Sequence, residues 1–222
     1  MRIHAVTLPA RDTAEVAAAY RGLGFPVRTT EDAAEVKVGT TRLRFDRDPG
    51  YRGYRGAHHL AFTIPTGSFA AARAWIGERA EVIAPDGRDE FAGPGTWDSR
   101  SVYFRGPDAQ VLELIERRAL APDPGAREPF RSSDVVSVSE VGVVVDDVPA
   151  AVTLLAEAGL HPYGGFATDG FAAVGDVEGL VILVARGRAW VPEGTHVAAD
   201  VPVVVDAGLG REIALGAGRL LR

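Results

Sequence analysis

The chain has 222 residues, no cysteine, 46% hydrophobic and 24% charged residues, and a formal net charge of −6. Such a composition belongs to a globular protein of one or two domains. It excludes a disulfide frame, a zinc–thiolate site and a thiol nucleophile, and its acidic balance argues against a general binder of nucleic acid or of an anionic membrane.

The N-terminus enters a strand-like pattern at once, without a secretory leader, and no apolar run reaches the roughly 18–20 residues of a membrane helix. A cytoplasmic protein is expected. Residues 3–8 read as a strand, and Asp12 with Glu15 three positions on reads as a helix start. Val16, Ala19, Tyr20 and Leu23 follow at helical spacing, and strands are expected over 35–38 and 41–45. A second pass of the same order begins with a strand over 58–64. Ser68 as N-cap, an apolar stripe of Phe69, Ala72 and Ile76, and strands over 101–104 and 111–115 complete it. The intervening 84–100, rich in Gly, Pro and Asp, reads as a loop able to cover a site. Glu116 and Arg117 read as a solvated strand end.

Residues 119–134 read as a linker, because prolines and a glycine interrupt any regular element there. A third pass follows, with a strand over 138–145, a helix opening near Pro149, and strands over 171–174 and 180–184. The tail holds one more strand, over 201–205. The expectation is an α+β protein of three βαβββ-type modules, the first two (1–55 and 56–118) pairing into a curved mixed sheet around a cleft. Residues 135–222 then form a third module with a C-terminal extension. Lacking a mate, that module suggests a homodimer.

Alternation along 58–64 sets Leu60, Phe62 and Ile64 on one face and His59, Ala61 and Thr63 on the other, which is small and polar like a cavity floor. Aligning the modules brings His4, His59 and Glu140 into correspondence on the first strand, and Arg44, Glu113 and Ile182 on the last. Pairing the first two modules collects His4, His59 and Glu113, a set of two imidazoles and one carboxylate that holds a divalent metal with positions left open. Fe, Mn, Zn, Ni or Co would all suit it. Glu113 stands among Val111, Leu112, Leu114 and Ile115, where an unpaired carboxylate is costly. His4 shares its face with Val6 and Leu8, the reverse of the polarity around His59. The third module, with Glu140 and Ile182, is not expected to build such a site.

The chain resembles the vicinal oxygen chelate superfamily, which includes glyoxalase I, extradiol dioxygenases and bleomycin-resistance proteins. The resemblance lies in His4 with the helix ending Tyr20-Arg-Gly-Leu-Gly24-Phe25, in His58-His59-Leu60-Ala61-Phe62, and in the run from Val102 to Leu114. In that run the superfamily's usual Asp and Gly are replaced by Gly106 and Ala109. The resemblance implies a metal-dependent lyase, isomerase or dioxygenase acting on a small oxygenated substrate, with His4, His59 and Glu113 as ligands and Glu113 and Tyr103 as catalytic residues. The usual fourth ligand position is Arg44, which cannot ligate and could instead pair with an anionic substrate. Tyr103 and Trp97 are further substrate-binding candidates. The alternative is a metal-free small-molecule or drug-binding protein, in which Trp75, Trp97, Tyr103 and Trp190 would dominate the cleft.

Overall fold

The computed structural model describes residues 1–48, 50–51, 56–120 and 129–222. The first module comprises β1 (Ala5–Ala10), α1 (Thr13–Gly22), β2 (Val27–Thr29), β3 (Ala33–Val38) and β4 (Thr41–Arg47). The second has β5 (His59–Ile64), α2 (Phe69–Gly77), β6 (Phe91–Ala92), β7 (Ser99–Arg105) and β8 (Val111–Arg117). The third has β9 (Ser137–Val145), α3 (Val148–Ala156), β10 (Pro162–Thr168), β11 (Phe171–Asp176) and β12 (Gly179–Ala185). The tail adds β13 (Val203–Asp206), β14 (Ile213–Gly216) and β15 (Arg219–Leu221).

Local chemistry explains the helix starts. Asp12 accepts from the amides of Ala14 and Glu15 at 2.8 and 3.2 Å, and Asp147 accepts from Ala150 at 2.8 Å. Ser68 does occupy the N-cap of α2, but its hydroxyl donates to the Pro65 carbonyl at 2.6 Å. The amides of Gly67 and Phe69 instead donate to the Glu116 carboxylate on β8, at 2.7 and 3.3 Å. Arg100 completes the neutralisation of Glu116 at 3.1 Å. Glu116 and Arg117 are therefore not a solvated strand end: they are 1% and 0% exposed.

The α+β class and the three modules agree with the sequence reading, but the pairing differs. One sheet has the strand order β10-β11-β12-β9-β5-β8-β7-β6, so the second module joins the third through antiparallel β5 and β9. The other sheet runs β14-β15-β13-β1-β4-β3-β2, joining the first module to the tail through antiparallel β1 and β13. In each module the first strand pairs parallel with the last, as β1 with β4, β5 with β8 and β9 with β12. The tail repeats this, β13 pairing parallel with β15 and β15 antiparallel with β14. It is a shortened fourth module without a helix, and it takes the edge of β1 that the second module was expected to occupy.

The main core lies on the helix-covered faces of both sheets, where Val6, Leu8 and Tyr20 meet Leu60, Phe62, Val141 and Leu155. Thr41, fully buried, ties the sheets together: its hydroxyl donates to Ile3 at 2.7 Å and accepts from the Val138 amide at 3.1 Å. Of the expected linker, 121–128 lies outside the described residues. Phe130, beyond it, is 3% exposed and packs edge-on against Trp75, so that end is anchored in the core. A second, smaller apolar cluster lines the opposite face of the eight-stranded sheet and includes Trp97, Ile182 and Trp190. Among the described residues no helix is long and apolar enough to cross a membrane.

Candidate metal centre

The curved face of the eight-stranded sheet forms a cup holding a cavity of about 440 Å³. Its floor is set by strand register. Ala61 on β5 pairs with Glu113 on β8 and also with Glu140 on β9. A small residue between the two carboxylates leaves room above the sheet, and His59 lies two positions back on the same face. On β9 the register slips between the partners of Ala61 and Phe62, so Ser139 is an extra residue. That bulge lets Val138 and Val141 both enter the core while Glu140 between them turns into the cup.

His59 Nε2 stands 3.5 Å from Glu113 Oε2 and 3.6 Å from Glu140 Oε2. All three residues are buried, and their ligand atoms lie within 4.8 Å of one another. The other ring nitrogen, Nδ1, is 3.0 Å from the Val111 carbonyl and donates to it in the tautomer that leaves an Nε2 lone pair facing the carboxylates. This donor set fits a divalent cation: one imidazole and two carboxylates on three adjacent strands, each with an atom free to converge. Ile182, on β12, occupies the fourth corresponding position and also lines the cavity.

A surrounding layer holds the three in place. Fully buried Arg117 on β8 pairs with Glu140 Oε1, leaving Oε2 toward His59, and its Nε donates to Ser139 Oγ at 3.2 Å. Tyr103 on β7 is the register partner of Glu113, and Ser101, two positions back on the same strand, lines the cavity with them. Burial, reinforced by the nearby Glu140 charge, pushes the Glu113 carboxyl up to about 7. For Glu140 burial acts in the same sense, but His59 and Arg117 outweigh it and hold the group below the usual carboxylate range. Burial would lower His59, yet Glu140 and Glu113 hold it above its ordinary value. Burial and the two carboxylates keep the Tyr103 phenol protonated well beyond its usual range. Neighbouring His58 is also buried and, with burial pushing it down to about 3, stays neutral.

Aromatic side chains build the walls. Phe91, Trp97, Tyr103, Phe166, Phe171 and Trp190 line the cavity. The Trp190 ring lies 5.1 Å from that of His59, and its Nε1 donates to the Ala57 carbonyl at 2.7 Å. Segment 84–100 contributes Arg88, Phe91–Pro94, Trp97 and Ser99 to the lining, as its composition led us to expect.

The structure thus brings together His59, Glu113, Tyr103 and Trp97 from the sequence-based set, and separates His4 and Arg44 from them. His4 lies on the seven-stranded sheet, where its amide donates to the Asp206 carbonyl and its exposed ring stands beside Gly208. The tail strand fills the edge through which His4 would have reached the second module. Arg44, on the same sheet, pairs with Asp46 at 2.7 Å and Glu35 at 3.0 Å. Trp75 belongs to the core. Glu140 is the residue that sequence reasoning set aside, although a carboxylate among Val138, Val141 and Val143 carries the signal that singled out Glu113. The three candidate ligands lie on adjacent strands β8, β5 and β9 of this chain.

No family model matches the sequence, and no curated protein matches it. Solved structures do. A provisionally assigned dioxygenase from Bacillus subtilis is 17% identical, with a TM-score of 0.61 over 93% of this chain and 70% of its own. Two mutants of glyoxalase I from Zea mays are each 13% identical over 92% of this chain, with TM-scores of 0.56 and 0.57, covering 74% and 75% of their own length. At these identities the likeness is one of fold.

Proposed function

We propose that this chain, which has the fold of the vicinal oxygen chelate superfamily, is an enzyme that binds a divalent metal at His59, Glu113 and Glu140 and acts on a small oxygenated substrate. The observation that carries this reading is the convergence of three buried ligand atoms within 4.8 Å on the floor of an aromatic-lined cavity. With two carboxylates and one imidazole, the set is harder than the two-histidine set expected from the sequence, a change toward oxygen-preferring ions such as Mn²⁺. A bound ion would supply Lewis-acid polarisation of the substrate oxygens.

The chain's own residues have separable roles. His59 is oriented by its bond to Val111, and Glu140 by Arg117. Tyr103, kept protonated beside Glu113, can donate a hydrogen bond to a substrate oxygen or deliver a proton to it. Glu113 is the candidate proton acceptor when it is not fully engaged by the ion. Trp190 and Trp97, both buried, supply apolar walls for the cavity.

A specific observation favours a second reading, a metal-free small-molecule-binding protein: Arg117 already neutralises Glu140, and six aromatic residues line the cavity. One experiment decides between them. Calorimetric titration of chelator-treated protein with Mn²⁺ should give one site per chain, weakened at least about 100-fold by His59→Ala, Glu113→Gln or Glu140→Gln. Equal Mn²⁺ affinity in all four proteins, or none in the wild type, would leave only the second reading.

A further inference from the structure

The cup carries charge at both ends, and the mouth is the less explained. Arg88, just before β6, and Arg188, just after β12, both line the cavity, and both are exposed. The Arg88 Cζ lies 5.0 Å from the Phe91 ring centroid, and the Arg188 Cζ lies 4.8 Å from that of Phe171. A guanidinium held over a ring offers its face to the ring and keeps its N–H donors, which lie in its own plane, available to an acceptor. Among the described residues neither forms an ion pair, whereas Arg117 at the floor is paired with Glu140. Two uncompensated cations on loops of two different modules therefore meet at one cavity of a chain whose net charge is −6.

We infer that the cup recognises a planar oxygenated acid, with its oxygens toward the floor, its flat apolar body between Phe91, Trp97, Tyr103 and Trp190, and its carboxylate held by Arg88 and Arg188 at the mouth. Each part has a matching surface. The volume of about 440 Å³ suits a single ring with short substituents. A carboxylate matches the fork of a guanidinium and is bound more strongly where apolar walls limit water. Only the orientation of the oxygen-bearing end rests on the metal reading above; recognition of the carboxylate does not.

The test compares two probes, 3,4-dihydroxybenzoate and neutral 1,2-dihydroxybenzene, by quenching of tryptophan fluorescence. It uses Mn²⁺-loaded and chelator-treated wild type and the double variant Arg88→Met, Arg188→Met. The acid should bind wild type at least about tenfold more tightly than the diol, the effect of one charge-assisted pair, and that ratio should fall toward one in the double variant. Equal affinities in wild type, a ratio that survives the double substitution, or no binding of the acid up to about 10 mM would overturn the inference. Chelation separates the two readings. If it weakens both probes, the metal reading gains; if both bind unchanged while the ratio still depends on the arginines, the metal reading fails and the inference stands.

Discussion

Glu113 and Glu140 flank a single residue: Ala61 is the register partner of Glu113 on one side and of Glu140 on the other. Two buried carboxylates so close cannot both ionise freely without a cation, and Glu113 is the one that gives way, pushed up to about 7 by burial and by Glu140. Its folded value lies above the 4.5 of an ordinary glutamate, so its contribution to stability is complete below about 4.5 and is lost as pH rises through about 7. His59, also raised, acts in the same sense from its ordinary 6.5 upward. Glu140, lowered, acts in a separate window, losing its contribution as pH falls below the usual carboxylate range. Urea denaturation of metal-free protein should therefore show wild type losing stability relative to Glu113→Gln between about pH 4.5 and 7. A relative gain over that interval would contradict the assignment.

The same proton links pH to metal. A cation at this floor requires Glu113 ionised, so Mn²⁺ affinity should climb as pH rises toward about 7, with proton release on binding. Calorimetry in two buffers of different ionisation enthalpy measures that release. His4→Ala, on the other sheet, should leave both the affinity and the proton count unchanged.

Arg117 supplies a further test, since it pairs with Glu140 while fully buried. Arg117→Met leaves Glu140 with His59 alone, and breaking one side of a buried ion pair costs about 3–5 kcal/mol. Saturating Mn²⁺ should recover part of that loss, because the ion also neutralises Glu140. Equal losses with and without Mn²⁺ in urea titrations would count against Glu140 as a ligand.

Much of this was legible in the sequence. Alternation identified His59 as the inward histidine, and the cost of a carboxylate in an apolar strand identified Glu113. It also gave a warning about His4, which shares its face with Val6 and Leu8. What periodicity does not encode is which module edges join, because every module offers the same kind of strand edge. That choice is decided by β13, β14 and β15, of three or four residues each, with no helix between them to mark a module. With the shortened module unseen, the first module was given the second as its mate, and Glu140 was set aside despite carrying the same signal as Glu113. Arg117 was misread for a related reason: at a strand end beside another arginine it looks solvated, and only the neighbouring β9 supplies Ser139 and Glu140 as partners.

Gly142 on β9 connects backbone to cavity shape. A methyl group there would stand 2.6 Å from the Trp190 ring and 3.2 Å from His59 Cβ. Gly142→Ala must displace the indole, whose Nε1 is fixed to Ala57, and overpacking of this kind costs about 1–3 kcal/mol. The substitution should shift the tryptophan emission and weaken Mn²⁺ binding through the displaced His59. Unaltered emission together with unaltered affinity would show that the ring does not close over this glycine.

The turn before β8 makes a prediction of opposite sign. Asp108 and Ala109 both have positive φ, 51° and 57°, and at the second of these the usual superfamily residue is glycine. A left-handed alanine costs about 1–2 kcal/mol, partly offset by the extra unfolded-state entropy that glycine brings. Ala109→Gly should therefore stabilise the protein by about 0.5–1 kcal/mol, an increase of about 1–4 °C in Tm for a chain of this size. Asp108→Gly should not, because Asp108 tolerates the conformation better and accepts from the Arg11 amide at 3.2 Å, with the Arg11 guanidinium 3.5 Å away. Thermal unfolding of the two variants side by side is the check. A gain from Asp108→Gly and a loss from Ala109→Gly would reverse the account of which residue carries the strain.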